Sequence, residues 1–218
     1  MLLKNAFIAL FSFSILHAET LKECKNETDK ISGCVERAYY SNGKLIREAP
    51  YKNGKIEGIE KWYYENGNLN VETPYKNGKM EGIEKWYNEN GNLEREAPFK
   101  NGKYYGIVKW YNENGNLRSE MPYKNGEKEG MLKWYYENGN LKEEIPYKNG
   151  KTHGDVKYYT ENGKLLALVK AENGRITSGK CFNDKVLTDK EIDEIDMNDI
   201  EKAIVYLQKI CLKESDSK

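Results

Sequence analysis

A period of 24 residues constrains this chain more than any other feature. Trp62, Trp86, Trp110 and Trp134 recur at that spacing, as do Gly58, Gly82, Gly106, Gly130 and Gly154, and Pro50, Pro74, Pro98, Pro122 and Pro146. Two Asn-Gly series interleave with them, one starting at Asn66-Gly67 within ENGN and one at Asn77-Gly78 within KNG. Complete units run over 58–153 and are flanked by worn copies, with Cys34 at the Gly position, Ala38 at the first Trp position and Tyr158 at the last. A unit this short cannot bury a face alone, so neighbouring units must stack.

Asn-Gly between alternating runs is a strong hairpin signal, because both central residues of a type I′ turn need positive φ. With Asn66-Gly67 as a two-residue loop, Tyr64 faces Leu69, Trp62 faces Val71, Glu60 faces Thr73 and Gly58 faces Tyr75. The same rule at Asn77-Gly78 sets Thr73 opposite Gly82, Val71 opposite Glu84 and Leu69 opposite Trp86. Both turns send the same residues to the same face. The expected fold is therefore mainly β, an elongated single-layer antiparallel meander of stacked 24-residue hairpins.

One face, the Trp face, is assigned Trp62, Trp86, Trp110 and Trp134, the leucines Leu69, Leu93, Leu117 and Leu141, the Tyr75-type aromatics and the Thr73, Ala97, Met121, Ile145 series. Gly58, Gly82, Gly106 and Gly130 are expected there to leave room for an aromatic ring lying across the neighbouring strand. The opposite face, the Tyr/Lys face, takes Tyr63, Tyr87, Tyr111 and Tyr135 with Lys61, Lys85, Lys109 and Lys133, each Lys facing a Glu such as Glu72. Pro74 and its equivalents cannot donate to a ladder, so each should sit at a bulge or an unpaired position. At about 4.8 Å per strand the ribbon would be on the order of 55 Å long.

The ends look capped. Cys24 and Cys34 bracket one edge of the repeats, and Cys181 and Cys211 the other. An even number of Cys favours disulfides, and no Cys/His spacing suits a metal. Of three possible pairings, Cys24 to Cys34 and Cys181 to Cys211 staple each end without a long reach. Thr188 with Glu191 has capping-box spacing, and Ile192, Ile195, Ile200, Ala203, Ile204, Leu207 and Cys211 follow at helical intervals. This predicts a C-terminal α-helical cap, broken near 196–198, laid on the end of the sheet.

Residues 1–18 read as a signal peptide, with Lys4, an apolar run from Ala6 to Leu16 and a small Ala18 before Glu19. The run is too short for a bilayer, which needs roughly 20 residues. The expected organisation is 1–18 signal peptide, 19–33 N-terminal cap segment, 34–183 repeats and 184–218 helical cap and tail. The expected location is periplasmic or secreted. Loss of Lys4 with the signal leaves a net charge of −1, so no basic field draws nucleic acid.

The unit GIVKWYNENGNLRSEMPYKNGEKEG from Gly106 resembles MORN repeats (membrane occupation and recognition nexus), in the bacterial variant with G-x-x-x-x-Y/W-Y-x-x-N-G-x-L and Y-x-N-G. The resemblance covers residues 34–180 and implies a single-layer sheet used as a scaffold or interaction surface. It also implies, from some bacterial relatives, an antitoxin-like role, and from eukaryotic relatives a link to membranes. Lys alternating with Glu is not a basic patch, so strong membrane binding is not expected.

Beyond residue 18 the one histidine is His153, at a position held by Glu81, Tyr105 and Glu129 in other units, which marks a surface substitution. Glu recurs equally in every unit, whereas one active site should break the repetition. No nucleotide, zinc-protease or calcium motif is present. No enzyme and no cofactor is expected. The leading reading is an exported scaffold binding a protein partner or itself through one broad face, with Tyr63, Tyr87, Tyr111, Tyr135, Lys61, Lys85, Lys109 and Lys133 as the candidate interaction residues, since Tyr is favoured at interfaces. The alternatives are an antitoxin-like inhibitor of a specific effector and a cell-surface glycan-binding module.

Overall fold

The computed structural model describes residues 21–212; the signal reading of 1–18 lies outside the described residues. Eighteen strands form one antiparallel sheet, a meander from Cys34–Tyr39 to Arg175–Cys181. Each unit has a six-residue strand such as Gly58–Tyr63, an eight-residue strand such as Leu69–Lys76 and a two-residue strand such as Lys79–Met80. The predicted register holds along the body of each hairpin: Gly58 pairs with Tyr75, Glu60 with Thr73, Lys61 with Glu72 and Trp62 with Val71.

The ENGN turns differ from the expected two-residue loop. Asn77 and Gly78 have φ 52° and 77°, but in the other series only the glycine, such as Gly67 at 96°, is positive. Tyr64 N–H donates to the Asn68 carbonyl and Gly67 N–H to that of Tyr64, closing a three-residue loop. The Asn66 side chain serves this turn: its Oδ1 accepts from Asn68 N–H and its Nδ2 donates to the Glu89 carbonyl of the next unit. The register therefore slips by one between Trp62 and Tyr63, so Leu69 pairs with Tyr63 rather than Tyr64. A one-residue slip moves a side chain to the other face. Leu69 and its equivalents thus go with the Tyr/Lys face, correcting their expected place beside Trp. The bulged residue turns to the Trp face instead: Arg118 lies over the Trp134 ring at 5.5 Å, and Leu166 is in the core.

A second correction concerns the join between units. Tyr75 pairs with Met80 as expected, but Val71 then pairs with Trp86 and Glu72 with Lys85, an offset of two. Val71 does not face Glu84, nor Leu69 Trp86. Pro74 has no N–H to hold the ladder, and the partner strand bulges there, with Glu81 N–H donating to the Pro74 carbonyl. An even offset leaves every face unchanged. It also gives Gly82 a different purpose from the one expected. Its φ is 123°, and an added Cβ would lie 2.8 Å from Pro74 Cγ, so the proline ring and the backbone exclude a side chain, not an aromatic ring. Gly130 against Pro122 repeats this distance.

Both ends are capped. Helix α1, Glu27–Ser32, presents its Lys30 carbonyl to Gly54 N–H, just as Ile56 serves Gly78 and Met80 serves Gly102 between units. The first unit thus meets a helix end where later units meet a strand. Cys24 and Cys34 are disulfide-bonded, as are Cys181 and Cys211, with Cα atoms 5.1 and 5.3 Å apart. Helix α2, Asp189–Asp193, carries the predicted Thr188/Glu191 capping box, and α3, Ile200–Cys211, follows the predicted break. Ala203, Ile204, Leu207 and Cys211 of α3 pack with Val156, Leu166, Ala167 and Val169 of the sheet. The main apolar core is therefore at the C-terminal end, on the Trp face. No described helix is long and apolar enough to cross a membrane.

Candidate functional site

The Tyr/Lys face forms a repeating internal ladder. The hydroxyls of Tyr63, Tyr87, Tyr111 and Tyr135 donate to Glu48, Glu72, Glu96 and Glu120 at 3.1, 3.1, 2.8 and 2.9 Å. Burial, together with those carboxylates, pushes Tyr87, Tyr111 and Tyr135 up to about 12, so each stays a protonated donor. Lys85 and Lys133 lie 3.6 Å from Glu72 and Glu120. Lys61 is in register with Glu72 as expected, but its ion pair is to Glu48 on the other neighbour, at 3.7 Å. Lys109 lies in register with Glu120 and Glu96. The polar atoms here are largely turned on one another.

The Trp face divides in two. In its C-terminal half Trp110 and Trp134 pack against the core, Tyr158 is fully buried in the same column, and the helices lie above. A cleft of about 1020 Å³ opens between the sheet and residues 197–201, lined by Trp134, Glu143, Tyr147 and Met197 and crossed by the Lys142–Glu201 ion pair. Glu143 is 1% exposed and lies beside the buried hydroxyl of its cross-strand neighbour Tyr158. Burial pushes its carboxyl up to about 7, against the opposing effects of Tyr158 and Lys142.

In the N-terminal half no described helix covers the tryptophans, and Trp62 and Trp86 are 40% and 38% exposed. Charged side chains surround them. Arg47 Nε donates to Glu60 Oε1 at 2.6 Å and its Nη1 to Glu36 Oε2 at 3.0 Å, while its guanidinium lies 5.3 Å from the Trp62 ring centre. Glu84, 7% exposed, accepts from Trp86 Nε1 at 2.7 Å and from the Thr73 hydroxyl at 3.2 Å. Arg95 Nη2 donates to the Tyr104 hydroxyl, and Phe99, Tyr104 and Tyr123 form a row with ring centres 4.5 and 5.0 Å apart. A cleft of about 590 Å³ lies among Met80, Glu84, Trp86, Arg95, Phe99 and Tyr104. The sequence reading gave the tryptophans a structural part, offered the Tyr/Lys residues as the interaction candidates, and missed these charges. The signal was present as breaks in the columns: Glu60 and Glu84 stand where Val108, Leu132 and Val156 stand later, and Arg47 and Arg95 stand where the column also holds Val71, Ser119 and Ala167.

Comparison with known proteins gives a family. The pattern described as "MORN repeat variant" matches residues 35–53, 56–77, 80–101, 104–125, 128–149 and 152–173. No curated protein matches. Among solved structures, an S. aureus TarM mutant in complex with fondaparinux, alpha-GlcNAc-glycerol and UDP is similar over 59% of this chain, at 10% identity and a TM-score of 0.25. The chain spans 22% of that structure's length, and a likeness this slight carries no functional weight.

Proposed function

The chain belongs to the MORN repeat variant family, and on that premise we propose that it is an exported, non-enzymatic scaffold that binds another protein through the uncovered N-terminal half of its Trp face. One observation carries this reading: Trp62 and Trp86 stay more than a third exposed beside buried charges, with no element of the described chain above them. Trp and Arg are, with Tyr, the residues most enriched where interfaces concentrate their binding energy. The Tyr/Lys face offers less, since its hydroxyls and carboxylates already satisfy each other. Two disulfides fit an oxidising compartment and support export. A second reading, a glycan-binding module, is favoured by the same half-exposed indoles, which suit stacking on a sugar ring.

A photo-crosslinking amino acid placed in turn at positions 62, 86, 87 and 111, in the native envelope, tests the proposal. Discrete protein adducts are expected from 62 and 86 and not from 87 and 111. The reverse pattern would assign binding to the Tyr/Lys face, and adducts of one further copy of this chain would make the partner itself.

A further inference from the structure

Two units two periods apart provide an internal comparison. At Arg47 the Nε/Nη2 edge of the guanidinium is taken by the Glu60 carboxylate, with both nitrogens near Oε1, and Nη1 goes to Glu36. At Arg95, which occupies the same place in its unit, the residue matching Glu60 is Val108. The residue matching Glu36 is Glu84, whose carboxylate bonds to Trp86 and Thr73 and forms no ion pair with Arg95. Nη2 meets only the neutral Tyr104 hydroxyl, and Nε is buried without a hydrogen-bond partner.

A buried N–H left without an acceptor is costly, and charge-assisted bonds are roughly twice as strong as those to neutral acceptors. The fold itself shows which group satisfies that edge: a glutamate side chain from an extended strand alongside. We infer that the cleft at Arg95 is a seat for a carboxylate delivered by a glutamate or aspartate of the protein partner, with Trp86 forming the wall against which the neighbouring partner residue packs. Access to Nε requires the Tyr104 hydroxyl to swing aside, exchanging a neutral acceptor for an anionic one. Among the lining charges Arg95 and Lys103 are balanced by Glu84 and Glu127, so the seat rests on the unpartnered Nε edge of Arg95 and not on a positive field. This inference rests on the scaffold reading above and adds to it the chemistry of the partner.

Val108→Glu supplies the carboxylate from within, and Arg95→Gln removes the cation while a thermal melt confirms folding. The probe is a blocked hexapeptide alternating Glu and Val, compared with its Gln/Val counterpart, and the readout is the Arg95 Nε–H cross-peak in a ¹⁵N correlation spectrum. The expected result is a saturable downfield shift with the Glu peptide only, lost in Val108→Glu, with peptide affinity falling at least tenfold in both variants. No shift in the parent protein, or an equal shift with the Gln peptide, would overturn the inference. A shift given by a glucuronate oligosaccharide but not by the Glu peptide would overturn it in favour of an acidic glycan. If the Glu peptide fails while adducts at 62 and 86 persist, the scaffold reading stands and the carboxylate seat falls.

Discussion

The two halves of the Trp face share a backbone and a register and differ in what fills their columns. From Glu36 through Glu60 to Glu84 one column is acidic and then turns to Val108, Leu132 and Val156, while the Trp column ends in a fully buried Tyr158. Over the apolar stretch lie α2 and α3; α1 reaches the charged stretch only at Glu36, through Lys30, and over Glu60 and Glu84 lies nothing from the described chain. Hairpin geometry is set by turns, prolines and glycines, which are the same in both halves. Whether a half is roofed depends on whether its columns give a helix an apolar surface to cover. The repeat is thus a neutral carrier, and the contrast between the two halves is written into its departures from regularity.

The largest contrast should come from truncating one large apolar side chain in each half. Leu207, fully buried on α3, should destabilise the fold by about 4 kcal/mol as Leu207→Ala, whereas Trp86→Ala should remove roughly 1–2 kcal/mol because its ring is already partly in water. Denaturant unfolding of both variants checks this, and equal losses would mean that the open half is packed as well as the roofed one. Next in size is the Cys181–Cys211 disulfide, which closes a separation of 30 residues. Its removal as a double Ser variant should cost about 3.5 kcal/mol by loop entropy. The loss should expose the α3 amides to hydrogen exchange before those of the strands around Trp62. Uniform exchange would break the idea that the roof is a separate local unit.

How much of this was legible depends on which signals repeat. The period fixed the strands, the faces and the hairpin register, because five prolines and two Asn-Gly series vote together. The Thr188 cap and the helical spacing after it placed the C-terminal cap, and the outlying cysteines placed both disulfides. Asn-Gly, however, serves both a two-residue turn and a three-residue turn with a bulge, and only backbone dihedrals separate them. That ambiguity misplaced Leu69. The partners of Arg47 and Arg95 depended on rotamers and on a two-residue offset that no spacing reveals. Reading the positions that recur between units found the sheet; the candidate site lay at the positions that differ between them.

Acidity offers a third way to separate the halves. Glu143, under the roof, has its carboxyl raised to about 7 chiefly by burial, while an unfolded carboxyl titrates near 4.5. Between these values the folded chain holds a proton that the unfolded chain has lost, so stability should fall as pH rises from about 4.5 to 7 and stay low above that. Glu143→Gln should flatten this dependence and stabilise the chain at pH 8 by up to about 3 kcal/mol. Urea midpoints from pH 5 to 8 measure it. A parent protein with a flat profile would mean that the site beneath α3 admits water.

The smallest effect concerns the opposite face, where both halves should behave alike. Tyr87 donates to Glu72 at 3.1 Å under the open half, and Tyr135 to Glu120 at 2.9 Å towards the roofed one. Removing either hydroxyl as Phe should cost about 1 kcal/mol, the usual net value of one hydrogen bond. The two losses should add, because each unit touches only its neighbours. Both hydroxyls are pushed up to about 12, so the bonds are intact below pH 10 and stability should decline as pH rises from 10 through 12, less steeply in each Phe variant. A loss at Tyr135 several times that at Tyr87 would show that the helices stiffen the sheet through to its far face, and the division between roofed and open halves would then belong to the whole ribbon and not to one surface of it.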